Sequence, residues 1–169
     1  LSLVLMEVGN RLGLDLQGIG LPAHFIVGVQ IDGCQILLDP FHGGTLLTAE
    51  GAQELVSRVL GRRVTLQEEH FTPVTKRQFL ARMLTNLKAI YWRTGSWAKV
   101  LPVVDRLLAL EPDASGEIRD RGVVLTNLGE LQRGIADLER YLNQHPGAPD
   151  AETVRTQLRR VRQTLATLN

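Results

Sequence analysis

The 169-residue sequence is short of several things, and each shortage excludes a class of protein. It has one cysteine, Cys34, which excludes a disulfide framework and any multi-cysteine zinc site within the chain and fits a reducing compartment. It has no excess of either charge, since Lys+Arg 19 against Asp+Glu 18 leave a formal net charge of +1. A dedicated nucleic-acid binder carries a basic surplus to neutralise phosphates, so no nucleic-acid partner is expected, and an acidic disordered tail is excluded as well. No apolar run approaches the roughly 18 residues that span a bilayer, so no membrane insertion is expected. There is no initiating methionine either: Leu1 leads straight into a helical pattern with no capping residue ahead of it, which reads as a fragment whose upstream part is missing. What remains, 44% hydrophobic and 22% charged residues, is the composition of a globular cytoplasmic protein with one large or two small domains.

The near-neutral total hides two unlike parts. Residues 1–72 carry 4 Lys/Arg against 8 Asp/Glu, a net −4, while residues 73–169 carry 15 against 10, a net +5. The apolar pattern changes at the same place. Before Pro73, apolar residues alternate or run in short blocks punctuated by glycine; after it they recur at helical spacing. A first domain over 1–72 and a second over 73–169 are therefore expected.

In the first part, Leu3, Leu5, Met6 and Gly9 lie in an apolar helix that stops at Gly13, a left-handed cap position. A loop is expected from Gly18 to Pro22. The runs from His24 to Gln30 and from Cys34 to Leu38 flank Asp32-Gly33, the strongest short-range hairpin signal available. The hairpin should end at Asp39-Pro40, because proline cannot continue a central strand. A Gly43-Gly44 turn, a short segment from Thr45 to Leu47, and a helix from about Thr48 to Leu60 capped by Thr48 follow. Residues 62–66 read as a short strand or an extended linker.

In the second part the sequence repeats. Pro112 and Pro146 are 34 residues apart, and aligning on them sets Tyr91 on Leu125, Gly95 on Gly129, Val100 on Gly134, Val104 on Leu138 and Leu107 on Tyr141. This is the tetratricopeptide period: large apolar residues on helix A, glycine at the turn, a small or modest residue where the two helices cross, and proline after helix B. The repeats are placed at about 81–112 and 115–146. A capping helix over 150–168 is led by Asp150, with Val154, Leu158, Val161, Leu165 and Leu168 on one face.

Five separated segments then carry a resemblance to a family: GLPAHF (20–25), LLDPFHGG (37–44), RMLTNLKAIY (82–91), RDRG (119–122) and DLERYL (137–142). Together they resemble the bacterial SirB-type invasion-regulator family across nearly the whole chain. The resemblance implies an α+β transglutaminase-like (papain-like) partial domain followed by an all-α tetratricopeptide helical-repeat domain. It also implies a chemistry to look for, in which a cysteine attacks an acyl group, a histidine deprotonates it, and an aspartate orients the histidine.

His24 and Asp39 fit the last two roles. They begin and end two runs joined by the Asp32-Gly33 turn, so an antiparallel hairpin brings them opposite one another. The resemblance puts the nucleophile about two residues before Leu1, and SirB-type proteins commonly lack that cysteine; Ser2 reads as a remnant of the stretch that replaces it and as a poor nucleophile. Cys34, on the second strand, reads as a small buried hydrophobe. The leading reading of His24 is thus a buried histidine tethered to Asp39, a relic of an active site. Retained acid-base chemistry is one alternative. A metal site is another, since His42 lies just past Asp39-Pro40 and could converge with His24 and Asp39, but the spacing matches no recognised ligand pattern and no metal or cofactor is expected.

The repeats supply the expected partner surface. Stacked helix pairs present a concave face lined by their A helices, which suits a protein or peptide. Candidate binding residues are Asn86, Lys88, Arg93, Arg119 and Arg121. For Arg119, Asp120 and Arg121 the competing expectation is an ion-pair cluster that holds the repeats to the acidic first domain. The basic run Arg155, Arg159, Arg160 and Arg162 reads as a solvated face, because no aromatic residues are interleaved with it. The sequence thus points to an interaction or regulatory protein with a non-catalytic transglutaminase-like domain. The alternative is a cysteine-type hydrolase or acyltransferase acting on amide bonds.

Overall fold

The computed structural model describes residues 1–168, with side chains through residue 167; the expected apolar contact of the Leu168 side chain lies outside the described residues. The chain divides into two compact units, residues 1–79 and residues from 80 onward. No helix among the described residues is long and apolar enough to cross a membrane.

The first unit is a small antiparallel sheet with a helix on each face. Helix α1 spans Ser2–Arg11, and Gly13 beyond it is left-handed at φ +83°, as the glycine stop predicts. Strands β1 (Gln17–Leu21), β2 (His24–Ile31), β3 (Cys34–Asp39) and β4 (Thr45–Leu47) pair in the order β1-β2-β3-β4. The β2-β3 turn has Asp32 at φ +49° and Gly33 at φ +80°, so both turn residues take the left-handed backbone that a two-residue hairpin requires. Helix α2 (Ala49–Leu60) starts at Thr48, whose hydroxyl accepts from Gly51 N at 3.1 Å. Alternation along the strands sends Ile19, Leu21, Ile26 and Leu37 to one face, against Ala52 and Val56 of α2. Leu16, Val27 and Val29 go to the other, against Leu5 and Met6 of α1.

The expected loop from Gly18 to Pro22 is instead mostly strand β1. Its glycines, read as loop punctuation, are there for space. A methyl on Gly18 would stand 2.5 Å from the Phe25 ring, and on the partner strand one on Gly28, which pairs with Gln17, would meet Ile19 at 2.7 Å. Residues 62–66 are neither strand nor helix. They are tethered to α2 by Val64 N donating to Ser57 Oγ (3.0 Å) and Leu66 N donating to Gln53 Oε1 (3.0 Å).

The second unit is the helical repeat: α3 (Lys76–Arg93, which begins before the division), α4 (Trp97–Leu110), α5 (Ser115–Asn127), α6 (Leu131–Gln144) and α7 (Ala151–Leu168). Gly95 and Gly129 reverse the chain at φ +63° and +82°, and Pro112 and Pro146 each follow the residue that caps a B helix. Between α5 and α6 the backbones nearly touch. A methyl on Gly134 would come 2.9 Å from the Gly122 carbonyl oxygen, and one on Gly122 would come 3.1 Å from that of Gly134. In the first repeat the position matching Gly134 is Val100, which is fully buried beside Val104 and Ile118.

Candidate functional site

Two clusters of polar side chains stand out, one in each unit. The first is built around Asp39, a residue only 1% exposed. Asp39 ends β3, and the following Pro40 opens a 3-10 turn over Pro40–His42 that the Asp39 side chain itself caps. Oδ1 accepts from Phe41 N at 2.9 Å and His42 N at 3.4 Å. Oδ2 takes both imidazoles, His24 Nε2 at 3.0 Å and His42 Nδ1 at 2.6 Å. His24 begins β2 and is buried, while the His42 side chain is half-exposed. In the β2-β3 register His24 is the diagonal rather than the direct neighbour of Asp39, but both point to the same face of the sheet and their side chains meet.

Burial pushes the Asp39 carboxyl up, but the hydrogen bonds from His42 and His24 outweigh it and hold the group below the ordinary carboxylate range. An ionised carboxylate only accepts, so the nitrogens facing Asp39 are the donating ones. That orients His24 with Nδ1 turned away from the carboxylate, the arrangement a general base needs towards a nucleophile. The only thiol is elsewhere. Cys34 pairs with Ile31 at the turn end of the hairpin, seven residues along β2 from His24 and so on the order of 23 Å away. It is also exposed, not buried as expected, because it is the first residue past the turn, among exposed neighbours.

An apolar cleft of about 370 Å³ adjoins the cluster. It lies between α1 (Leu1, Val4, Leu5, Val8) and the segment after Asp39 (Pro40, Gly43, Gly44).

The second cluster runs across the A helices of the repeat. Lys88 Nζ on α3 donates to Glu117 Oε1 at 2.6 Å and Asp120 Oδ2 at 2.9 Å on α5. Arg119 pairs with Asp120 at 2.7 Å and with Asp150 at the start of α7, and Tyr141 also donates to Asp150. Arg121 reaches Asp137 at 2.7 Å and Asp105 at 3.5 Å. Of the five expected binding residues, Lys88, Arg119 and Arg121 are thus engaged with carboxylates of the repeat itself, and Asn86 and Arg93 are exposed on α3. The sequence brings His24, Asp39 and His42 together as expected, but the role of Asp39 as cap of the turn went unread. The available signal was Asp-Pro-Phe-His, an N-cap residue followed by proline at the first position of a helical turn.

This geometry agrees with what the chain is similar to. A family model described as the transglutaminase-like superfamily matches residues 1–85, and one described as the tetratricopeptide repeat matches residues 87–159. The chain belongs to the transglutaminase-like superfamily and carries tetratricopeptide repeats after that region. Among individual proteins, a UPF0162 protein of Xylella fastidiosa is 35% identical over 161 residues, 94% of this chain and 57% of its own. The protein SirB1 of Salmonella typhimurium is 26% identical over 94% of this chain and 59% of its own. The chain therefore spans less than two thirds of the length of these relatives. Among solved structures, the first tetratricopeptide domain of Spaghetti (RPAP3) bound to an HSP90 peptide aligns with 51% of this chain and 66% of that one, at 24% identity and a TM-score of 0.45.

Proposed function

We propose that this chain is an interaction or regulatory protein of the cytoplasm, in which the helical repeat binds a protein or peptide and the transglutaminase-like unit performs no acyl transfer. The observation that carries the reading is the outer face of α3. Leu80, Met83, Leu87 and Ile90, at helical spacing, are between 36% and 50% exposed, and no residue of that helix is buried. Asn86 and Arg93 border the strip. An apolar strip of this kind edged by polar side chains suits an amphipathic partner segment, and the net +5 of residues 73–169 favours one with acidic side chains. Lys88 and Arg119 serve as the frame that ties α3, α5 and the start of α7 together, and Arg121 ties α5 to α4 and α6. The non-catalytic half of the reading is supported by the separation of Cys34 from His24.

The test is titration of a partner captured from a bacterial lysate against the protein and its L87D variant. At least a tenfold loss of affinity with unchanged circular dichroism is expected; equal affinity would overturn the binding face.

A second reading, a cysteine-type hydrolase or acyltransferase on amide bonds, is favoured by one observation, the intact and correctly oriented His24–Asp39 pair. Treating the whole gene product with a thiol-reactive acyl probe decides between them. Modification that disappears in H24A would establish the second reading and sink the first.

A further inference from the structure

We propose that His24, Asp39 and His42 form a binding site for a divalent transition-metal ion of the zinc class. The three side chains offer two imidazole nitrogens and one carboxylate oxygen, all within 4.8 Å of one another. Oδ2 of Asp39 already lies 3.0 Å from His24 Nε2 and 2.6 Å from His42 Nδ1. Ligands bound at about 2.0–2.1 Å in a tetrahedral shell stand roughly 3.3 Å apart. The set therefore needs only a small opening about Oδ2 and a modest approach of the two nitrogens to accept an ion in place of the shared hydrogens.

The donor chemistry narrows the choice of ion. Two imidazoles and one carboxylate suit zinc, cobalt or ferrous iron, whereas magnesium and calcium prefer a shell of oxygens.

The surroundings favour a held site over a chance encounter of side chains. Two ligands are anchored in the fold, His24 on β2 and Asp39 at the end of β3, and both are buried. The second carboxylate oxygen is fixed by the amides of Phe41 and His42, the outer-shell support that orients a metal-binding carboxylate. His42 stands on the 3-10 turn that Asp39 caps, with its side chain half-exposed, which gives an ion a way in. Three protein ligands leave a fourth position open to solvent or to an oxygen or nitrogen donor of a small ligand. The site does not depend on how the repeats are used.

The test is titration of tag-free protein with cobalt(II), followed in visible light, and with zinc(II), followed by calorimetry. One ion per chain is expected, with the ligand-field bands of a four- or five-coordinate cobalt ion. H42Q keeps a donor for Asp39 but lacks the imidazole, so it should fold like the parent by circular dichroism and bind zinc on the order of 100-fold more weakly. H42A serves as a second variant, and H145A should bind as the parent does. Absence of the bands in the parent protein, or stoichiometric binding retained by H42Q or H42A, would overturn the site.

Discussion

Charge is gathered in both units, in opposite ways. In the first, two imidazoles and two amides converge on one buried carboxylate, Asp39, so a single residue holds a turn, a strand end and two side chains. In the second, the charges form a ladder: Lys88, Glu117, Asp120, Arg119 and Asp150 share contacts along three helices, and none of them holds the others alone. A hub keeps ring nitrogens spare for other work and fails all at once. A ladder uses up its donors internally and fails by degrees.

Removing the hub should have the largest effect. D39A deletes a buried carboxylate together with four hydrogen bonds, and a loss of about 3–5 kcal/mol in denaturant unfolding followed through the first unit is expected. A change below about 1 kcal/mol would mean that the histidines hold each other without it. Next is G134A, which tests whether the repeat depends on close backbone packing more than on its ladder. A methyl there meets Thr126 at 2.6 Å and a backbone carbonyl oxygen at 2.9 Å, so a loss of about 2–3 kcal/mol is expected despite the better helix propensity of alanine.

Cutting one rung should cost less. K88M leaves Glu117 and Asp120 without their lysine, and a loss of about 2 kcal/mol at neutral pH is expected. The pH dependence gives a sharper test. Burial lowers the Lys88 pKa, but Glu117 and Asp120 outweigh it and leave it above the ordinary lysine value of 10.5. Its contribution is therefore complete below about pH 10.5 and is lost as pH rises through the higher folded value. Alkaline titration of stability should show this loss in the parent protein and not in K88R, whose guanidinium stays charged. The smallest effect belongs to C34S: the thiol is exposed, and a change within about 0.5 kcal/mol is expected.

Much of this was legible in the sequence because it rests on local rules. The Asp32-Gly33 turn fixes the hairpin, and the hairpin brings His24 to Asp39. The 34-residue period places the reversing glycines at 95 and 129 and the prolines after the B helices. What escaped depends on neighbours distant in sequence. Strand β1 looked like a loop because its glycines make room for Phe25 and for the close pairing with β2, and spacing alone does not tell a spatial glycine from a flexible one. The partners of Arg119 and Arg121, Asp150 and Asp137, are 31 and 16 residues away. No periodicity announces them. Cys34 is exposed because its place beside the turn outweighs the burial preference of its residue type.

The glycine pair at the α5–α6 crossing has a mechanical consequence. Where two backbones meet without side chains between them, the angle of the joint is set by hard contact and resists bending in either direction. The first repeat has Val100 at the matching position, and its A helix buries no residue. The α5–α6 joint is thus fixed by backbone contact, whereas the leading helix is held through side chains, by Tyr91 and Trp92 against the core and by Lys88 across to α5.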